Sequence, residues 1–283
     1  MILDYIVSVL TYMLIYIIVV QSFNLAYGFT GLVNLGHMVF FGAGAYASAL
    51  LTLNGIPWYL AILSAGFLAA LLGAAMASIT VRLKGDYFQV ATLGLVFMAT
   101  ALSRNWISLT RGALGLPGVP NILNDRLAYM LFVLAVTSIS LIFFYWLVNS
   151  ETGKIFRAIR DDETAAMILG KNTYFYKILS ISISTFFAGI GGSLFVHFIN
   201  YVDPTTFDLG FFVIILSMLI LGGLASIAGS IVGVVLVTLI TESLRFVSIN
   251  PDMVGAFREM TFIAIVLLVL IYRPKGIFGK VTV

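Results

Sequence analysis

Reaction chemistry in this chain would have to be built from very few side chains. His37 and His197 are the only histidines, cysteine is absent, and neither an H-E-x-x-H nor a G-x-S-x-G run occurs. A nucleophile with its base, a carboxylate pair or a metal-ligand set is therefore missing at any recognisable spacing, and no metal or cofactor of its own is expected. No G-x-x-x-x-G-K-[ST] loop is present either, so any energy from nucleotide must arrive through a partner. Polar groups do recur at helical spacing inside apolar sequence. Asn34 and His37 stand at i and i+3, as do Gln89 and Thr92, which puts each pair on one helix face. Polar groups at membrane depth point into the bundle or into a water-filled path, so each pair either bonds a neighbouring helix or meets a solute in transit. Glycines nearby bring helices close or break a span where it lines a cavity. Asn34, His37, Gly42, Gly44, Gln89, Thr92, Gly222 and Gly223 are the candidate residues of a translocation path. His197, near the end of a span, reads as hydrogen-bonded or solvated.

The elements that must hold these residues are membrane spans. Apolar residues make up 61% of the chain and charged residues 10%, with a mean hydropathy of +1.11. A soluble domain carries about a quarter charged residues. Apolar runs repeat along the whole length, at 2–27, 31–53, 58–81, 87–103, 127–148, 178–200, 211–221, 231–247 and 257–272. They read as about nine crossings in one bundle over residues 1–283, an all-α polytopic membrane protein. The second run is full of small residues, which marks a central helix. The seventh is short for a full crossing and reads as tilted, broken or re-entrant. No basic residue precedes the first run, so it reads as an uncleaved span and not as a signal peptide. If 82–84, 149–177 and 273–280 are cytoplasmic, ten of the fifteen Lys and Arg lie inside, which places the N-terminus outside. Residues 31–35 (GLVNL) and 223–227 (GLASI) echo one another faintly, a hint of the internal repeats common in transporters.

One polar interruption breaks the pattern. Residues 149–177 hold nine charged residues around the apolar run Ala165-Ala166-Met167-Ile168-Leu169. Asp161 or Asp162 can cap a helix start there, Glu163 suits its positive end, and Gly170 before Lys171 is a stop signal. A helix of about two turns does not hold alone in water, so this one is expected to pack on something. With an apolar face and charged rims it suits the docking of a soluble motor. The other role for Arg157 and Arg160 is to satisfy the positive-inside bias and touch lipid headgroups. Charge is scarce within the spans, which argues against ion-coupled transport and against charged selectivity rings. Two function classes remain, a permease subunit driven by a partner and a passive channel for a small neutral solute such as urea.

Four runs, in order, then carry a resemblance. Gly153-Lys154-x-x-Arg157-Ala158-Ile159-Arg160-Asp161-x-Glu163-x-Ala165-Ala166-x-x-x-Gly170 resembles the cytoplasmic coupling segment of the branched-chain amino acid ABC transporter permeases. Gly31-Leu32-Val33-Asn34-Leu35-Gly36-His37 with Phe41-Gly42-Ala43-Gly44-Ala45-Tyr46 resembles that family's second-segment signature. Gly85-Asp86-Tyr87-Phe88 with Ala91-Thr92-Leu93 is similar to the opening of its fourth span, and Leu221-Gly222-Gly223-Leu224-Ala225-Ser226 with Gly229 and Gly233 to its C-terminal glycine motif. Ala228-Gly229-Ser230 departs from that motif in lacking a proline. Of the two related permeases such transporters use, the chain looks more like the one with the G-x-Y-F stretch and the R-A-I-R-D loop. The resemblance implies a type II ABC importer-like permease bundle in a prokaryotic cell membrane. It also implies a second homologous permease, two ATP-binding subunits and a soluble extracytoplasmic binding protein. Arg157, Arg160, Asp161, Glu163 and Gly170 are then the residues expected to couple the bundle to the ATPase. The implied cargo is a branched-chain amino acid, while urea, short amides and other amino acids are carried by closely similar permeases.

Overall fold

In hydrocarbon every backbone N–H and C=O must find a partner within the protein, so long apolar runs wind into helices. The structure is a computed structural model that describes residues 2–83, 85–123, 125–243, 264 and 276–279. Helix α1 (Ile2–Asn24) runs into a π-helical turn, Leu25–Phe29, and the chain then leaves helical geometry before α2 (His37–Leu53). Helices α3 (Trp58–Thr80) and α4 (Asp86–Asn105) follow, then a short α5 (Ile107–Thr110) and strand β1 (Leu116–Pro117). Helix α6 (Arg126–Asn149) leads to α7 (Glu151–Asp161), α8 (Glu163–Ile168) and α9 (Thr173–Ile199). Strand β2 (Tyr201–Val202) pairs antiparallel with β1, Leu116 opposite Val202, and α10 (Leu209–Gly222) and α11 (Ile227–Ser243) close the described bundle.

The structure supports fewer full crossings than the nine expected. Among the described residues six helices are long and apolar enough to cross a membrane, and α2 and α11 are shorter apolar helices. The second apolar run is the clearest case, because its first residues, 31–36, are not helical. Only 17 residues remain in α2, about 25 Å of helix, less than the roughly 30 Å of a bilayer's hydrocarbon. The expected ninth span, 257–272, lies outside the described residues. The polar interruption 149–177 also differs from a loop with one short helix. It is two helices, α7 and α8, followed by the start of α9, which takes in Lys177.

Helix α9 is the rod on which the bundle is assembled. Its small residues bring backbones into direct contact. A Cβ at Gly192 would collide with the Phe41 carbonyl of α2, one at Gly44 with the Gly189 backbone, and Gly73 of α3 leaves room for Thr185. Without a hydrophobic drive inside lipid, such close approach supplies the packing that holds helices together. On the other side of the bundle Tyr129 Oη donates to the Leu194 carbonyl at 2.6 Å, and Thr137 Oγ1 to the Leu14 carbonyl at 3.2 Å, seating α6 on α9 and α1.

Candidate functional site

Of the two helix breaks that echo in the sequence, the second is held against the end of α1. Gly31 (φ +78°) ends the turn after α1, and Gly223 (φ +110°) ends α10. Buried Asn24, at the end of α1, holds the second break: its Oδ1 accepts from Ala225 N at 3.0 Å, and its Nδ2 donates to Ser226 O at 3.1 Å and Ser230 Oγ at 2.8 Å. Gly28 is small because Asn24 and the Ala225 amide fill the space a side chain would need. Gly222 and Gly223, candidates for the path, are closed by backbone as well, Gly222 by Gly229 and Gly223 by Gly279.

Residues 31–36 lie against α4. Leu35 N donates to Thr92 Oγ1 at 3.1 Å, Gly36 N to Asn34 Oδ1 at 3.0 Å, and a Cβ at Gly36 would stand 2.7 Å from the Thr92 carbonyl oxygen. The structure thus brings Asn34, His37 and Thr92 to one region. His37 is buried at the start of α2, its Nε2 3.1 Å from Ser22 Oγ and its ring 5.1 Å from that of Phe23. Asn34 Nδ2, His37 Nδ1 and both carboxamide atoms of Gln21 are buried with no hydrogen bond among the described residues. Gly42 is buried in α2, and Gly44 is used in packing against Gly189. Gln89, one turn from Thr92, opens instead onto a cleft of about 330 Å³ that Arg160, Glu163 and Lys177 also line, together with Thr30, Val33 and Phe88.

That cleft is roofed by an elbow of two helices. Ser150 caps α7, and Gly153 lets it turn close under the Leu147 and Val148 carbonyls that end α6. Phe156 and Ile159 are buried, which leaves the charged residues outside. There the Lys154 ammonium, bonded to Glu151 at 2.8 Å, holds the Glu151 carboxyl below its ordinary range. Asp162 caps α8, accepting from Ala165 N at 3.0 Å. Gly170 (φ +77°) ends it, with Gly170 N bonded to Met167 O and Lys171 N to Ala166 O, the paired bonds that close a helix on a left-handed residue. Ile168 is 81% exposed and Leu169 77%, an apolar knob at the tip. The two arginines face the other way. Arg157 Nη1 donates to Val148 O at 2.7 Å, and Arg160 Nη1 to Gly28 O at 2.9 Å, while Asp161 pairs with Arg160 at 2.8 Å. Each arginine meets carbonyls left open at the C-terminal end of a membrane helix, where the dipole favours a cation. Arg160 also lays its stem over Gly31, 3.1 Å from the place of a Cβ.

At the opposite end, buried His197 is fully satisfied. Its Nδ1 is 2.9 Å from Pro120 O and its Nε2 is 2.9 Å from Ser48 Oγ, which Ser193 Oγ approaches to 2.6 Å. Asn200 Nδ2 adds a bond to Val119 O at 2.8 Å, so the segment between α5 and α6 is tied to the end of α9. Sequence reasoning missed Gln21, Asn24 and Lys177.

Interrupted helices inside the bundle, helices long enough to cross a bilayer and a capped helical elbow at one end define a multi-pass membrane protein. Comparison with known proteins gives the family. Residues 5–268 match the family described as branched-chain amino acid transport system / permease component, and the chain belongs to it. It is 28% identical over 302 residues to the high-affinity branched-chain amino acid transport system permease protein LivM of Escherichia coli (strain K12), covering 96% of this chain and 69% of that protein. It is 24% identical over 295 residues to LivH of the same organism, covering 94% and 91%. A probable branched-chain amino acid transport permease protein LivM of Methanocaldococcus jannaschii is 24% identical over 326 residues, covering 98% and 94%. Among solved structures, PsaBC from Streptococcus pneumoniae in complex with Fab has a similar fold, with a TM-score of 0.50 at 16% identity over 95% of this chain and 91% of that one.

Proposed function

We propose that this chain is the transmembrane subunit of an ATP-driven importer and passes branched-chain amino acids, handed over by an extracytoplasmic binding protein, across the cell membrane of a prokaryote. The observation that carries the reading is the α7–α8 elbow. Its inner face is fixed to the turn after α1, to α6 and to α9 by Arg160, Arg157 and Lys177, and its outer tip is an exposed apolar knob beside charged residues. A helix held this firmly with Met167, Ile168 and Leu169 bare is built to receive a soluble subunit. The chain works beside a second, homologous permease and two ATP-binding subunits, and ATP is bound by those partners. Arg157, Arg160, Asp161, Glu163 and Gly170 shape and anchor the elbow. Asn34, His37, Gln89 and Thr92 offer polar groups near the helix breaks to a zwitterion whose aliphatic side chain suits an otherwise uncharged route.

The test is to purify the tagged chain in mild detergent, identify what accompanies it and assay ATP hydrolysis with and without candidate binding protein and leucine. Recovery of an ATPase and a second permease, with hydrolysis stimulated by the loaded binding protein, supports the reading. Urea or a short amide replacing leucine as the stimulant would move the substrate to those solutes. A chain recovered alone that conducts a neutral solute in liposomes would replace the importer by a passive facilitator.

A further inference from the structure

We infer that Lys177 is a positioning residue that carries the movement of α8 into the membrane bundle, as one end of a strut whose other end is Glu163. The inference rests on the importer reading above. Glu163 is the first residue of α8, and α9 holds both of its carboxylate oxygens, Oε2 through Lys177 Nζ at 2.5 Å and Oε1 through Thr173 Oγ1 at 3.2 Å. The Lys177 side chain is 9% exposed and that of Glu163 32%, against 62% and 86% for Lys154 and Glu151, whose ion pair lies on open surface. An exposed pair exchanges freely with water and fixes little. Opening the Glu163–Lys177 pair leaves the largely buried Lys177 ammonium short of a partner, so the pair favours staying closed while α8 and α9 move together.

The alternative route from α8 to α9 is the chain itself, residues 169–172. All four are exposed, and the backbone turns there through left-handed Gly170. That turn can bend, whereas the Glu163–Lys177 bond joins the first turn of α8 directly to α9. Helix α9 in turn meets α2 and α3 through glycine contacts that leave no slack, so a push at Lys177 is felt by the rod and not absorbed beside it. Arg160, bonded to Gly28 O and lying over Gly31, gives the elbow its second anchorage at the α1–α2 break. The cleft of about 330 Å³ lies between the elbow and residues 30–33, 83, 85, 88 and 89, and it supplies the space into which the elbow can swing.

The test uses the assembled transporter in proteoliposomes, reading ATPase co-purification and the amino acid taken up per ATP hydrolysed. Lys177→Met keeps the stem and removes the charge. The ATPase is expected still to co-purify, with uptake per ATP falling about tenfold, within the usual range of coupling between two sites. The exchanged pair Glu163→Lys/Lys177→Glu is expected to recover most of that loss. The chain has no cysteine, so Glu163→Cys with Lys177→Cys allows a control on one folded protein. Uptake per ATP should be low before a short bifunctional cross-linker is added and restored after it. Coupling unchanged in Lys177→Met, or no recovery in both the exchanged pair and the cross-linked protein, overturns the strut. Wild-type protein that recruits no ATPase overturns the importer reading, and the strut with it.

Discussion

Asn24 has the most consequential side chain of the first helix, because its carboxamide satisfies three polar groups of the second break. Asn24→Leu keeps the volume but leaves Ala225 N–H buried without its partner. We expect a loss of about 1–3 kcal/mol, read as a lower melting temperature in detergent. An unchanged melting temperature would mean that residues 223–226 are held by other contacts. Gln21 and Asn24 were within reach of sequence reasoning. They stand at i and i+3 in an apolar run, the same spacing that singled out Asn34 with His37 and Gln89 with Thr92. The inward direction of Arg157 and Arg160 was not legible, since their acceptors, Val148 O and Gly28 O, are backbone atoms. A basic residue in a polar stretch looks the same whether it meets a lipid headgroup or the end of a helix.

Helix α8 was legible down to its ends, because capping is local chemistry. Asp162, Glu163 and Gly170 announce start and stop without reference to the rest of the fold. Helix α7 was missed, since only Phe156 and Ile159 of its buried face stand out among six charged or polar neighbours such as Lys154 and Arg157. For α8, Asp162→Ala removes the bond to Ala165 N and is expected to cost about 1 kcal/mol of local helix stability. Gly170→Val places a β-branched residue at φ +77°, which adds roughly 1–2 kcal/mol of strain and re-aims the tip. Both variants should insert into membrane as wild type does while recovering less ATPase in a pull-down. Undiminished recovery in both would show that the docking surface does not depend on α8.

For the whole bundle, α9 sets the limits of tolerance. Gly192→Ala must part α2 from α9, because the new Cβ would meet the Phe41 carbonyl and not a side chain that can turn aside. A loss of about 1–3 kcal/mol is expected. Gly94→Ala in α4 is the control, for among the described residues no neighbouring element lies within 4 Å of its Cβ position. It should gain up to about 1 kcal/mol in helix propensity. Thermal unfolding of the two proteins side by side distinguishes them, and equal melting temperatures would remove α9 from its central role. The order of apolar runs was legible throughout, because hydrophobic length is written locally. Where the runs break was not, because residues 31–36 unwind only against partners supplied by α4 and by the turn after α1.

That dependence places a restraint on α4. Among the described residues it is the least buried of the six long helices, with 22% of its most apolar stretch covered, and so the one with most freedom to drift sideways into lipid. Its Thr92 hydroxyl, however, is the acceptor for the Leu35 amide. Were α4 to peel away, it would strip an unwound backbone of its partner at a depth where no water replaces it. The outermost helix is thus leashed to the innermost break.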